Sequence, residues 1–420
     1  MSRILLIVYN NDSYIHFFPL GLAYVASAMR EEGHDVEVYH QDVYHYPEAH
    51  LTQYLSDNQY DIVGVGMCGG YYQYAKLKKL VEAIPSGIDI WVGGHMVSAD
   101  PDYFRDKFGI TVFKGEFNYK ENIDEIPYPA WDLFPIDYYS LIRLPHSANQ
   151  DRCFPVLSGR GCPFKCTFCY RMVEGYRARN IKSITEEIQI LQKDYRITYI
   201  DFADELLMVN PDRTMELSEA LKPLGLKWMC NGRLNIANPK ILKVMKDAGC
   251  VSINYGVEAM DDEVLERMNK KLTVKQIIEG TKNTLEASLS PRLNMLWGNI
   301  GDTKETLWKA VEFLRNYDDH AELRTIRPVT PYPGSDLYYY AIEQGMLGGV
   351  EDFYENKHVN SDLASVQFTG LSDEDFHAEL HEANKLIIGD YIYFWWKKMR
   401  DQAYNLYRRR DTSFRGFRQT

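Results

Sequence analysis

Three cysteines stand within eight residues: Cys162, Cys166 and Cys169, in the segment Ser158-Gly159-Arg160-Gly161-Cys162-Pro163-Phe164-Lys165-Cys166-Thr167-Phe168-Cys169-Tyr170. The spacing Cys-x3-Cys-x2-Cys places three thiolates on one tight loop, where they can hold three corners of a cubane iron–sulfur cluster. The fourth iron is then left without a protein ligand, and an open position is what a reactive metal site needs. A structural zinc site would require a closed tetrahedral set of four ligands. No Cys or His follows at finger-like spacing; the next cysteine is Cys230, and Cys153 lies at the other end of the preceding strand. The seven cysteines are an odd number with three clustered, which argues against a disulfide framework and for a reducing, cytoplasmic setting.

The elements that position this loop read as two successive α/β regions. Residues 1–115 alternate candidate strands at 3–9, 35–40, 61–66, 89–94 and 110–115 with helical patterns near 20–32, 47–57, 72–84 and 99–107. Continuous Val/Ile runs separated by helices imply a buried parallel sheet, doubly wound, with ligands beyond the carboxyl ends of its strands. The stretch Ile126-Pro127-Tyr128-Pro129-Ala130-Trp131 reads as an extended connector, since each proline biases its predecessor away from helix. Strands are then expected near 154–159, 199–204, 227–232, 252–257, 292–297 and 323–329, with helices near 183–194, 212–222, 239–248, 273–287, 303–316 and 335–345. Six βα units make an open partial barrel with its site at the carboxyl-terminal mouth. The divisions expected are 1–122, a linker over 123–150, a barrel over 151–345 and a helical region over 346–420. In that last region the aromatic cluster Tyr391, Tyr393, Phe394, Trp395 and Trp396 is expected to pack over the barrel.

A chain of 420 residues has room for two or three domains at roughly 100–200 residues each. The formal net charge of −12 disfavours non-specific binding to nucleic acid. The basic tail, Arg408, Arg409, Arg410, Arg415 and Arg418, reads as a solvated terminal face. The 31 tyrosines read mainly as amphipathic surface and core filling. The apolar start Ile4–Val8 lacks the features of a signal peptide, and no run approaches a membrane span, so no membrane association is expected.

The cysteine motif after a strand resembles that of the radical SAM (S-adenosylmethionine) superfamily. That resemblance implies a 4Fe-4S cluster on Cys162, Cys166 and Cys169, chelation of SAM at the open iron, and cleavage to a 5′-deoxyadenosyl radical. It also implies an electron donor such as flavodoxin or ferredoxin. Phe168 matches the aromatic residue preferred before the third cysteine, near the adenine. Gly256-Val257-Glu258 matches the glycine–glutamate motif, whose acid contacts the SAM amino group. Asp204 and Glu205 end the second strand, where acids can meet the ribose or methionine end. Asn231 and Arg233 end the third, and Arg233 would neutralise the SAM carboxylate. Two further loops compare with the family's: Trp297-Gly298-Asn299-Ile300-Gly301-Asp302-Thr303 stands where relatives show Gly-x-Pro-Gly-Glu-Thr, and Pro331-Tyr332-Pro333-Gly334-Ser335 is close to Pro-x-Pro-Gly-Thr.

The first region is similar to the cobalamin-binding subgroup of that superfamily, with a Rossmann-like fold. The similarity rests on Pro19-Leu20-Gly21-Leu22-Ala23-Tyr24, Gly93-Gly94-His95 and Trp131-Asp132-Leu133-Phe134-Pro135. It implies a cobalamin resting on Met67-Cys68-Gly69-Gly70-Tyr71-Tyr72, with Gly21, Cys68, Gly69, Gly70, Tyr71, Gly93, Gly94 and His95 as contacts. Glycines there let backbone approach a bulky ligand. A structural thiol is the commoner role for a lone cysteine such as Cys68. No Asp-x-His-x-x-Gly cobalt motif is present. Relatives continue after the fifth strand with Gly-Glu-Gly-Glu and a further helix covering the cofactor's nucleotide tail; here Gly115-Glu116-Phe117 runs almost directly into Ile123-Asp124-Glu125-Ile126-Pro127.

The expectation is therefore a cobalamin-dependent radical SAM enzyme, methylating an unactivated carbon of a small-molecule or peptide substrate. The alternatives are an oxidative cyclase or rearrangement enzyme resembling the anaerobic magnesium-protoporphyrin ester cyclase, and a non-catalytic cobalamin or cluster module.

Overall fold

The structure, a computed structural model, describes residues 1–12, 16–117, 119–414 and 416–417. Arg415 and Arg418 of the basic tail lie outside the described residues.

The first sheet contains β1 (Arg3–Val8), β2 (Asp35–His40), β3 (Ile62–Gly66), β4 (Asp89–Gly93) and β5 (Thr111–Phe113), in the order β2-β1-β3-β4-β5. All four pairings are parallel. Strand order reverses between β1 and β3, so a crevice opens past their carboxyl ends. β1 is apolar over five consecutive buried residues because both faces of the sheet are covered there. Helices Glu48–Asp57, Tyr71–Ala83 and Pro101–Phe108 contribute to one core. Helix Leu20–Glu31 contributes Ala26 and Met29 to another, with Ile4, Leu6, Val36 and Ile62. After β5 the chain makes a short turn at Ile123–Glu125, then runs back across helix Leu20–Glu31. There the Ala130 N–H donates to the Ala23 carbonyl at 3.1 Å and the Ser27 hydroxyl donates to the Tyr128 carbonyl at 2.6 Å. The proline-rich stretch is thus a strap along the helix.

The second sheet contains β6 (Cys153–Val156), β9 (Tyr199–Phe202), β10 (Lys227–Gly232), β11 (Cys250–Glu258), β12 (Ser290–Trp297) and β13 (Ile326–Pro328), all parallel and in sequential order. It is the six-stranded open barrel that the six βα units implied. Between β6 and β9 the chain forms a separate antiparallel hairpin of β7 (Gly159–Cys162) and β8 (Gly175–Ala178). The strand expected over 154–159 therefore ends at Val156, and the cysteine loop closes a hairpin of its own. Glycine dictates this. A Cβ on Gly161, at φ +83°, would lie 2.3 Å from the Gly175 carbonyl, and one on Gly159 would lie 2.7 Å from the Tyr176 hydroxyl.

The C-terminal region divides in two. Phe353 and Tyr354 join the core of the first sheet, and Tyr354 stacks on Tyr74 at 4.8 Å. Beyond them a 37-residue helix, Asp373–Arg409, buries Phe376, Leu380, Ala383 and Ile387, with Phe376 stacked on Trp297 at 4.3 Å. Asn384 accepts from the Ile326 N–H at 2.8 Å and donates to the Ile326 carbonyl at 2.9 Å, satisfying the open edge at β13. The aromatic cluster does not pack over the barrel as a unit. The Trp395 indole donates to the His320 carbonyl at 3.0 Å, but Tyr393, Phe394 and Trp396 face solvent. No helix among the described residues is long and apolar enough to cross a membrane.

Candidate functional site

The cysteine loop is held from several sides by directional contacts. At its approach, both oxygens of the Asp204 carboxylate accept from Ser158, one from the backbone N–H at 2.7 Å and one from the hydroxyl. The next acid, Glu205, accepts from the Gly161 N–H at 2.9 Å. The two acids that end β9 thus pin the first strand of the hairpin. Asp204 is 1% exposed, and burial pushes its carboxyl up to about 7 against the opposing Ser158 hydrogen bonds. Within the loop, the Thr167 N–H donates to the Met268 carbonyl and the Leu337 N–H to the Thr167 carbonyl, at 3.0 and 2.9 Å. The Asn269 side chain donates to the Lys165 carbonyl at 2.6 Å.

Cys166 is buried, Cys162 half-buried and Cys169 exposed, all free thiols. Burial pushes the Cys166 thiol up, while Lys270 and Arg233 pull it back down. Among the described residues no three His, Cys, Asp or Glu side chains converge closely enough for a single metal ion. Three free thiols on the loop that closes one hairpin, with the cations Lys270 and Arg233 acting on Cys166, suit a negatively charged cluster. The donor set therefore fits a three-cysteine iron–sulfur centre, whose loading releases thiol protons.

Two cations and an acid border the loop. Glu258 ends β11 at φ +70°, where the register with β12 shifts, and its carboxylate accepts from Lys270 Nζ at 3.0 Å. A Cβ on Gly256 would lie 2.1 Å from Glu258 Oε1, so only glycine lets the acid fold back there. Lys270 Nζ also sits 5.8 Å from the centre of the Phe168 ring. The Arg233 guanidinium lies 3.7 Å over the Phe164 ring and donates to the carbonyls of Lys270 and Lys271. Among the described residues its Nε is buried without a partner, and burial lowers its pKa, opposed by the thiols of Cys166 and Cys162.

Asn231 donates to the Asp204 carbonyl at 2.6 Å and accepts from Asn254, which accepts from Asn294, both at 2.8 Å. This amide ladder crosses β10, β11 and β12 from the cysteine side. Asn254, Asn294, Ser158 and Lys270 escaped the sequence reading. The only trace of the ladder was asparagine recurring on the less buried positions of apolar strands. The departure at 298–303 is self-contained: Asp302 accepts from the N–H groups of Gly298 and Asn299 at 3.0 and 2.9 Å and from the Thr306 hydroxyl at 2.7 Å. The shorter acid closes the turn by itself.

The first sheet contributes a cavity of about 770 Å³ over the carboxyl ends of β1, β3 and β4. Gly21, Cys68, Gly93, Gly94 and His95 line it, while Gly69, Gly70 and Tyr71 lie outside its lining. A Cβ on Gly94, at φ +102°, would lie 2.3 Å from the Met67 carbonyl, so this close approach requires glycine. Cys68 is exposed to the cavity, not packed away as a structural thiol. The cavity also runs along the sheet face past Gly64, Trp91, Phe113 and Phe117; among the described residues only the short turn Ile123–Glu125 stands between β5 and the connector. Its opposite wall belongs to the barrel: Leu157, Arg160, Ala203 and Glu205. A bulky apolar ligand with its own polar rim fits such a cradle. Arg160 stands two residues before Cys162 and lies 4.8 Å over the Tyr24 ring.

Comparisons with known proteins agree with both halves. Residues 7–121 match the family model of the B12 binding domain, and residues 156–314 match that of the radical SAM superfamily. The chain is 28% identical over 375 residues to an uncharacterized methyltransferase of Pyrococcus horikoshii, covering 78% of this chain and 79% of that protein. It is 27% identical over 224 residues to the anaerobic magnesium-protoporphyrin IX monomethyl ester cyclase of Rubrivivax gelatinosus, covering 52% of this chain and 39% of that one. Its fold matches the radical SAM methyltransferase TsrM of Kitasatospora setae, solved with cobalamin and a [4Fe-4S] cluster. The TM-score is 0.64 at 16% identity, covering 82% of this chain and 78% of that one. The three-cysteine loop thus sits in a radical SAM domain over residues 156–314, and a B12 binding domain precedes it over residues 7–121.

Proposed function

We propose that this protein is a cobalamin-dependent radical SAM methyltransferase acting on an unactivated carbon. One observation carries the reading: a single cavity is walled on one side by the carboxyl ends of the first sheet and on the other by the strand leading into the cysteine loop. Methyl transfer needs two cofactors to reach one substrate, and this is where such a substrate would meet both. When bound, the cluster with SAM supplies a radical and the corrinoid supplies the methyl group; the protein supplies binding, orientation and exclusion of water.

In this reading Cys162, Cys166 and Cys169 ligate the cluster. Lys270 and Arg233 offset its negative charge. Phe168 flanks the adenine, Glu258 accepts from the SAM ammonium, and the unpartnered Arg233 Nε faces its carboxylate. Asp204 acts by holding Ser158 and the hairpin in place, and Asn231 orients it through the amide ladder. Gly21, Gly93, Gly94, His95 and Cys68 face the corrinoid, with Gly69, Gly70 and Tyr71 shaping the loop behind. The four divisions drawn from the sequence, a cytoplasmic setting, a small-molecule or peptide substrate and a flavodoxin- or ferredoxin-type electron donor belong to the same proposal.

The likeness to the ester cyclase favours one second reading, oxidative ring formation without methyl transfer. Anaerobically reconstituted protein given SAM and reductant separates the two. Methyl transfer yields S-adenosylhomocysteine beside 5′-deoxyadenosine. The cyclase reading yields 5′-deoxyadenosine without the homocysteine product. Neither product would overturn both.

A further inference from the structure

Helix Asp373–Arg409 consists of two different surfaces joined end to end. Its first half buries one face against the barrel. From Asp390 onward only its inner edge stays on the body, through Asp390 against Arg315 and Trp395 against His320, and its outer face meets solvent. Ile392 is 60% exposed, Tyr393 62%, Trp396 50%, Met399 49%, Tyr404 55% and Tyr407 71%. The recurrence 392, 396, 399, 403, 407 keeps to the helical repeat, so Ile392, Trp396, Met399, Ala403 and Tyr407 form one apolar stripe about four turns long, with Tyr393 and Tyr404 along its flank. Water-exposed stripes of this length on a soluble surface mark a site of association.

Charge changes sign at the same place. Residues 373–390 carry six acids and one lysine, whereas residues 391–410 carry Lys397, Lys398, Arg400, Arg408, Arg409 and Arg410 against the single acid Asp401. All six cations are exposed, on a chain whose net charge is −12. They interleave with the aromatic rings. The Arg400 guanidinium lies 5.0 Å over Trp396, Lys398 Nζ 4.5 Å over Trp395 and the Arg409 guanidinium 5.5 Å over Tyr404, while Tyr393 stacks on Trp396.

We propose that this half-helix docks on an anionic lipid surface. Tyrosine and tryptophan favour the boundary between headgroups and acyl chains, and lysine and arginine beside them meet anionic headgroups. The helix lies in the plane of that surface and does not cross it. Charge decides against a second copy as the occupant. Stripe-to-stripe pairing would bring two strongly cationic segments together, whereas an anionic bilayer complements them.

The test is co-sedimentation of the full chain with vesicles of phosphatidylcholine alone and of equal parts phosphatidylcholine and phosphatidylglycerol. Binding is expected with the anionic vesicles only, and it falls as salt shortens the screening length. Lys397→Glu with Lys398→Glu weakens it by at least about twentyfold, at roughly fivefold per cation removed. Tyr393→Ser with Trp396→Ser weakens it by about tenfold while leaving the buried half of the helix untouched. Absence of binding to anionic vesicles at low salt overturns the proposal, and so does binding that both double variants retain. A dimer in sedimentation equilibrium that Tyr393→Ser with Trp396→Ser dissociates, without vesicle binding, assigns the stripe to a second copy and also overturns it.

Discussion

The cysteine hairpin and the first-sheet cavity are built by opposite means. The hairpin is fixed by hydrogen bonds with direction: Asp204 and Glu205 at its approach, Met268 and Leu337 at its middle, and Glu258 with Lys270 beside it. The cavity is shaped by backbone and apolar surface, with Gly94 pressed on Met67 and Trp91 and Phe113 along its length. A small charged centre needs its ligands and counter-charges at definite positions. A bulky ligand bound over much of its surface needs shape. The two sites should therefore fail separately.

The largest effect is expected from Cys166→Ala, which in the proposed reading removes a cluster corner. Iron falls from about four per chain to near zero and SAM cleavage is lost, while corrin absorption after cobalamin loading stays. Loss of both cofactors together would break the comparison. Next comes Gly256→Ala, whose Cβ displaces Glu258. SAM affinity drops by at least about tenfold with iron content unchanged, and stability falls by less than about 1 kcal/mol because the movable ends of Glu258 and Lys270 give way. The counterpart in the first domain, Gly94→Ala, meets the Met67 backbone, costs about 1–3 kcal/mol by strain and lowers corrin occupancy, with the iron absorption retained. Isothermal titration and absorption spectra read both.

A smaller effect is a slope of stability with pH. Asp204, raised to about 7, keeps its proton in the folded chain at pH values where the unfolded chain has lost it. Folding therefore loses stability as pH rises from about 4 to about 7, and the loss is complete above that window. Asp204→Asn still accepts from the Ser158 N–H, donates to the Ser158 hydroxyl in place of accepting from it, and should flatten the melting-temperature profile over this range. The smallest effect is expected from Cys68→Ala: an exposed thiol, less than about 0.5 kcal/mol of stability and no change in iron. A shifted corrin spectrum in that variant alone would show that the thiol faces the cobalt.

How much of this was legible in advance depended on the kind of contact. Five strands of the first sheet and six of the second announced themselves as apolar runs, because a parallel sheet covered on both faces demands them. The hairpin at 159–178 did not, because its glycines and charged residues carry no strand pattern and pair only because the loop must close. Asp204 and Glu258 were both recognisable as acids at strand ends. Their different partners, Ser158 for one and Lys270 for the other, depend on residues 46 positions away for the first and 12 for the second.

By itself the sequence determined the cluster chemistry, since three thiols separated by three and two residues share a loop in any fold that admits them. It also determined the two α/β halves. Only the tertiary structure decided that the first-sheet cavity has its far wall on Arg160 and Glu205, and that the helix after Asp390 turns most of its aromatic side chains to solvent. Spacing along a chain sets which side chains share a loop or a face. What stands opposite that face is set by packing between segments far apart in the chain, and no local pattern encodes it.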